Sequence, residues 1–98
     1  MESSVSPCKL VETPSQISQA SDIEWGVLVD AYLVDAASVG DRYVAMVYGD
    51  LSGRSCDGMT VVTPPVRTLE ERGGYTLLRS VSGGDHYVVA SRLAEGAA

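Results

Sequence analysis

At 98 residues the chain has room for one small domain, and its net charge of −6 argues against direct binding to nucleic-acid backbones or anionic membranes, which require positive patches. Its 45% apolar and 20% charged residues are ordinary for a globular domain and exclude wholesale disorder. Phenylalanine is absent, so the core must be built from Val, Leu and Ala around Trp25 and five tyrosines.

Residues 1–20 are rich in Ser, Thr, Gln and Pro and read as a loose arm, flexible or partly ordered, with a short strand at KLVE (9–12). The opening MESSVSPCKL lacks the basic and apolar regions of a signal peptide, and no apolar stretch reaches membrane-spanning length. Cys8 and Cys56 stand 48 positions apart with no CxxC, a poor disulfide framework for a secreted mini-protein. An intracellular setting is the expectation.

The segment 21–41, SDIEWGVLVDAYLVDAASVGD, contains five carboxylates and no lysine or arginine. Ser21 and Glu24 fit a capping box and Gly40 fits a helix end, but as a helix this stretch would be apolar around nearly its whole circumference. Alternation fits better. Ile23, Trp25, Val27, Val29, Ala31 and Leu33 are all apolar, which predicts a strand over 21–34 with a kink or bulge at Gly26. On its other face Asp22, Glu24 and Asp30 would stand about 7 Å and 20 Å apart, and Asp35 and Asp41 carry the charge into the following turn. These five acids are the candidate partner-binding residues. The imbalance is confined to this end: residues 1–41 hold seven acids against Lys9, whereas residues 42–98 hold six acids and six arginines.

The remainder reads as a meander. Strands are expected at 42–49, 59–63, 66–71, 75–81 and 86–93, separated by a loop closing on Asp57-Gly58, by Pro64-Pro65, by Gly73-Gly74 and by the turn 82–85. The tail 94–98 reads as frayed. GDRYVA at 40–45 and GDHYVV at 84–89 echo each other, because Gly-Asp ends a turn and Tyr-Val starts a strand in both places. Five or six short sequential strands predict an all-β, mainly antiparallel domain over 21–93: a small curled sheet or open barrel.

Tyr48-Gly49, Asp57-Gly58, Thr63-Pro64-Pro65-Val66 and Tyr87-Val88-Val89 give residues 47–90 a pattern that resembles small β-rich proteins carried by bacteria and their phages. The resemblance implies a phage or mobile-element setting, hence a bacterial host cytoplasm, and it supplies no catalytic residues.

Signs of chemistry are sparse. Ser82, Asp85 and His86 crowd into one turn, whereas a triad needs three groups converging beside an oxyanion hole. Cys56 with His86 would be the only nucleophile pair, and an enzyme built on either is the least favoured reading. Two distant cysteines and one histidine lack zinc spacing, and there is no EF-hand or P-loop pattern, so neither metal nor cofactor is expected. What remains is a non-enzymatic acidic domain that binds a basic protein surface. In its most concrete form it is an anti-CRISPR-like inhibitor, occupying the nucleic-acid groove of a host defence complex. The alternative is an assembly subunit, self-associating or docked through an apolar sheet face or edge bearing Leu28, Tyr32 and Val34. The plainest account of the acids is a solvated face that keeps a small domain soluble.

Overall fold

The computed structural model describes residues 14–93. Pro14 leads into a two-turn helix, α1 (Ser15–Ser21), and its carbonyl accepts the Ile17 amide at 3.0 Å. Ile17 and Ala20, three residues apart, form the buried stripe. A seven-residue helix is too short to persist in water by itself, so its packing against the sheet holds it. The final residues of the expected arm thus belong to the core; the strand expected at 9–12 and the tail 94–98 lie outside the described residues.

Six strands follow: β1 (Ala31–Val39), β2 (Arg42–Tyr48), β3 (Thr60–Val62), β4 (Val66–Arg72), β5 (Tyr75–Ser80) and β6 (His86–Val89). They form one sheet in the order β3-β2-β1-β6-β5-β4, antiparallel everywhere except between β1 and β6. The sheet is therefore two three-stranded meanders joined side by side through a parallel seam. The turns sit where glycine and proline placed them. The echoing Gly-Asp pairs precede β2 and β6, strands with different neighbours, and mark no structural repeat.

The strand expected over 21–34 is corrected: β1 starts at Ala31, and residues 22–30 are irregular. Ladder partners decide this. The last residue of β2, Tyr48, pairs with Tyr32, and Tyr87, second in β6, pairs with Ala31, so a β1 reaching back past Asp30 would have no strand beside it. The segment folds over the sheet as a lid instead. Ile23, Trp25 and Val29 point into the core, Gly26 turns the chain at φ +80°, and Leu28 is left 71% exposed. The apolar alternation picked out residues that are buried or half-buried, Val27 excepted, but not one common face: Ile23, Trp25 and Val29 join the cluster on the sheet's outer face, and Ala31 and Leu33 the one on its inner face.

The connection from β3 to β4 fixes the shape. These strands lie at opposite edges of the sheet, about 24 Å apart if it were flat, at some 4.8 Å per strand. Only residues 63–65 join them, and four peptide steps from Val62 to Val66 reach at most about 14 Å. The sheet must curl. It still does not close, because no ladder joins β3 to β4. The linker is stitched on both sides: Thr63 N–H donates to the Tyr43 carbonyl (2.9 Å), Val66 N–H to the Asp41 carbonyl (2.8 Å) and Val81 N–H to the Pro65 carbonyl (2.9 Å).

Curling gives the two faces different roles. The inner face gathers Ala31, Leu33, Ala36, Ala45, Val47, Val66, Leu78 and Val89, with Tyr43, Val61 and Tyr87 beside them, so all six strands contribute. Three alanines keep this concave side from overfilling. The outer face packs Val34, Tyr48, Leu77 and Val88 beneath α1 and the lid.

Two β-bulges sharpen the curl. Between Val34 and Ala37, β1 carries one residue more than β2, and β4 carries one more than β5 between Thr68 and Glu70. Asp35 adopts φ +54°, the only non-glycine residue with positive φ among those described. Its amide donates to Ser91 Oγ (2.9 Å), and the β1–β6 seam, interrupted there, resumes at an Ala36–Arg92 bridge. Asp35→Gly is therefore expected to leave stability unchanged or slightly raised, whereas Asp35→Val should lower it by about 1–2 kcal/mol, the cost of a left-handed β-branched residue. Urea denaturation of both variants checks this.

Candidate functional site

The inner face has a mouth at the end where β1 and β6 begin. Asp30 is its knot. The Asp30 amide donates to the His86 carbonyl (2.8 Å), its Oδ2 accepts the His86 amide (2.8 Å), and its own carbonyl accepts the Leu51 amide (2.9 Å). One residue thus ties together the start of β1, the start of β6 and the loop 49–59.

That loop is ordered by two more carboxylates. Asp50 Oδ1 accepts from the Ser52 amide (2.9 Å) and hydroxyl (2.8 Å), while Oδ2 accepts from the Ser55 amide (3.1 Å). Asp57 Oδ1 accepts the Gly49 amide (2.9 Å). Burial alone would raise the Asp50 pKa, but the hydrogen bonds from Ser52 and Ser55 outweigh it and hold the carboxyl below its ordinary value. Across the mouth, Ser80 Oγ accepts the Gly83 (3.2 Å) and Asp85 (3.0 Å) amides and sets the turn leading into β6.

Together these elements enclose a cavity of about 430 Å³. Leu33, Val47, Val61 and the Tyr87 ring line its apolar part; Asp30, Asp50 and Asp85 bring carboxylates to it, and Arg54 stands on the loop side. Burial pushes the Tyr87 phenol pKa up, and the charges of Asp85, Asp30 and Asp50 push it further. Three negative charges therefore act on one half-buried hydroxyl. They do not converge as a chelate: among the described residues no group of three or more His, Cys, Asp and Glu side chains could hold a metal ion.

The five acids singled out in the sequence are not brought together. Asp22 follows α1 as its C-cap, Glu24 lies on the lid, Asp30 belongs to the mouth, Asp35 occupies the β1 bulge and Asp41 sits in the β1–β2 turn. Asp22, Glu24, Asp35 and Asp41 are exposed, whereas Asp30 is half-buried with one oxygen engaged internally. The evenly spaced row of Asp22, Glu24 and Asp30 therefore does not form, since it required a strand upstream of Ala31. Asp50, Asp85 and Tyr87 were missed as a group. The signals were present in Asp-x-Ser, which favours an Asx turn, and in the acid just before the β6 Tyr-Val, but only topology puts them beside Asp30.

Three of the six arginines are committed elsewhere. Arg72 lies over the Trp25 ring (5.4 Å), donates to the Glu24 carbonyl (2.8 Å) and pairs with Glu70, locking the lid down. Arg92 lies over the Tyr43 ring (5.8 Å) and donates to Thr76 Oγ1 (3.1 Å), and Arg42 donates to the Thr63 carbonyl (3.4 Å). Among the described residues Arg72–Glu70 is the one ion pair. Cys56 is disulfide-bonded and so presents no thiol to a base in this state. No helix among the described residues is long and apolar enough to cross a membrane.

The Asp50 pKa is lower in the folded chain than in the unfolded one, so its contribution to loop order is complete above the unfolded value and is lost as pH falls through the lower folded value. Acid titration followed by NMR should show the Ser52 and Ser55 amides moving with a midpoint below about 3.9, the ordinary aspartate value. In Asp50→Ala the same amides should be displaced already at neutral pH.

No family model, no curated protein and no solved structure matches the chain.

Proposed function

We propose that the chain is a non-enzymatic, acidic protein-binding domain that docks on a basic surface of its partner. The observation that carries this reading is the division of labour among charges. The guanidinium groups of three of the six arginines, Arg42, Arg72 and Arg92, serve rings, carbonyls and hydroxyls within the fold, and Arg54, Arg67 and Arg79 are exposed, while Asp22, Glu24, Asp35 and Asp41 also remain exposed and enter no ion pair among the described residues, so acid outnumbers uncommitted base on the surface. With a net charge of −6, such a surface would steer a cationic partner and speed encounter.

The most specific form of this reading is an inhibitor from a phage or other mobile element that covers the nucleic-acid-binding surface of a host defence complex, as an anti-CRISPR protein does. Its support is the concentration of acids in residues 1–41 and the resemblance carried by residues 47–90. Because the acids sit on separate elements, docking would rest on a field of negative charge rather than on a phosphate-like ladder. A cytoplasmic role adds one condition: reducing compartments open disulfides, so the binding surface must survive without the Cys56 bridge.

A second reading, assembly through an apolar patch, draws on Val27, Leu28 and Leu51, all exposed and lining one depression under the lid. Val34, expected on such a face, is 5% exposed and belongs to the core, so the patch differs from the one read in the sequence.

Capture from bacterial lysate at low and then moderate salt, with mass spectrometry, tests the lead. The combined variant Asp22→Asn, Glu24→Gln, Asp41→Asn should bind the captured partner about tenfold more weakly, as three screened surface charges of ~0.5 kcal/mol each would give. Undiminished affinity in that variant would overturn the electrostatic reading. Light scattering that shows concentration-dependent oligomers, abolished by Leu28→Ser, would favour assembly instead.

A further inference from the structure

We propose that a disulfide between Cys8 and Cys56 is a redox-sensitive strap: closed, it holds α1 on the outer face, and reduced, it lets α1 lift away while the sheet stays folded. Cys56 is disulfide-bonded, and the sequence holds one other cysteine, Cys8, 48 positions earlier. A bond between them joins the segment ahead of α1 to the loop 49–59. Six peptide steps separate Cys8 from Pro14, a reach of at most about 21 Å, so the strap is short.

The Cys56 end is held independently of its sulfur. The Cys56 amide donates to Met59 Sδ (3.1 Å) and its carbonyl accepts the Met59 amide (3.0 Å), closing a turn in which Gly58 adopts φ +89°. Asp57 Oδ1 accepts the Gly49 amide, and Gly58 N–H donates to the Val47 carbonyl (2.8 Å), which anchors the turn on β2. Opening the bridge breaks none of these bonds. The loop therefore stays in place.

The α1 end is weaker. Seven residues are ordered there, but only Ile17 and Ala20 are buried. No side chain caps the helix, and neither an acid in its first turn nor a base in its last complements its dipole. The Tyr75 hydroxyl donates to Gln19 Oε1 (3.0 Å), a bond exposed to water. One isoleucine and one alanine offer little apolar area against the entropy of ordering seven residues. A covalent tie just ahead of the helix lowers that entropy, because a tethered segment has fewer places to go. The lid needs no such help: Trp25 is buried beneath Arg72, whose guanidinium also holds the Glu24 carbonyl. Ile17 and Ala20 share a cluster with Val34, Tyr48, Leu77 and Val88, so lifting α1 uncovers apolar sheet surface.

The opening step balances with a dithiol reductant. One of its thiolates attacks a sulfur of the bridge and forms a mixed disulfide; its second thiolate then displaces the remaining cysteine sulfur and the reductant departs as a disulfide. Two electrons and two protons end on Cys8 and Cys56 as thiols.

The test uses the full chain, purified without reductant. Trypsin cuts after Lys9, Arg54 and Arg67, so residues 1–9 and 55–67 should appear in mass spectrometry as one species that dithiothreitol splits in two. Amide hydrogen exchange is then followed with and without dithiothreitol. The Ile17, Asp22 and Ile23 amides, bonded to the carbonyls of Pro14, Gln19 and Ala20, should exchange at least about tenfold faster after reduction, while amides of β1, β5 and β6 change by less than about threefold. Cys8→Ser should show the fast α1 exchange at once and no response to dithiothreitol. A 55–67 fragment joined to anything other than residues 1–9, a second copy of itself included, overturns the bridge. Unchanged α1 exchange on reduction overturns the strap, and so does an equal loss of protection across the sheet, which would make the bridge a staple of the whole fold.

Discussion

A three-residue link between opposite sheet edges is the constraint on which the rest of the structure depends. With β3 and β4 held within reach of each other, the inner face can only be concave, and its side chains must be small in the middle: Ala31, Ala36 and Ala45 answer that need. Pro64 and Pro65 contribute a second effect. Lacking N–H groups, they cannot nucleate a ladder between β3 and β4, so the curl stops short of closure. Buried Thr63 replaces the missing pairing through its side chain: Oγ1 accepts the Tyr43 amide (3.0 Å) and donates to the Pro64 carbonyl (2.9 Å). The open mouth bearing Asp30, Asp50 and Asp85 follows from this incomplete closure.

The lid resolves the question raised by the acidic, apolar segment 21–41. Trp25 is 8% exposed, and its Nε1–H is the buried side-chain polar atom without a hydrogen-bond partner among the described residues. An orphan donor costs about 1–3 kcal/mol, whereas burying a Trp side chain of roughly 200 Å² contributes about 5 kcal/mol at 25 cal/mol per Å². Burial wins, and the Arg72 guanidinium above the ring adds to it. The lid thus uses Arg72 to close the outer face while its own Glu24 offers Arg72 a carbonyl, which leaves the Glu24 side chain turned to water. Structural demand on arginine and surface excess of acid are therefore two sides of one arrangement.

How much of this was legible in the sequence depends on the range of the information needed. Turns were legible because they are local: Gly40, Gly73, Gly74 and Gly84 adopt the positive φ that glycine allows, and the strands between them fall where Val and Tyr cluster. The strand over 21–34 was misplaced because a strand exists only where neighbours offer a ladder, and period-two burial arises equally in a lid that lays alternate side chains on a sheet. Helix α1 was readable in Ile17 and Ala20 at helical spacing, yet its polar composition resembled a tail. For the site, Asp30 was found by charge alone. Asp85 and Tyr87 join it through the parallel β1–β6 seam, a pairing that no local pattern announces, and Asp50 through the Leu51 amide on the Asp30 carbonyl.

The sheet edges bear on which surface is available to a partner. The outer edge of β4 carries Arg67, Glu70, Glu71 and Arg72 and is bent by the bulge at Leu69, while β3 has only three residues and runs into two prolines. Short, charged, bulged or proline-bounded edges are the features by which natural sheets resist pairing with other strands. Edge-to-edge assembly would have to overcome all of them, so association through strand addition is disfavoured on this fold. The lid depression around Leu28 and the acid-rimmed mouth are left as the surfaces a partner could engage, and they differ in what they reward. The depression rewards apolar area and is indifferent to salt. A cationic group docked at the mouth would be held less tightly as salt rises, most of all by those acids that water reaches. Salt dependence of binding therefore separates the two surfaces even before a partner has been identified.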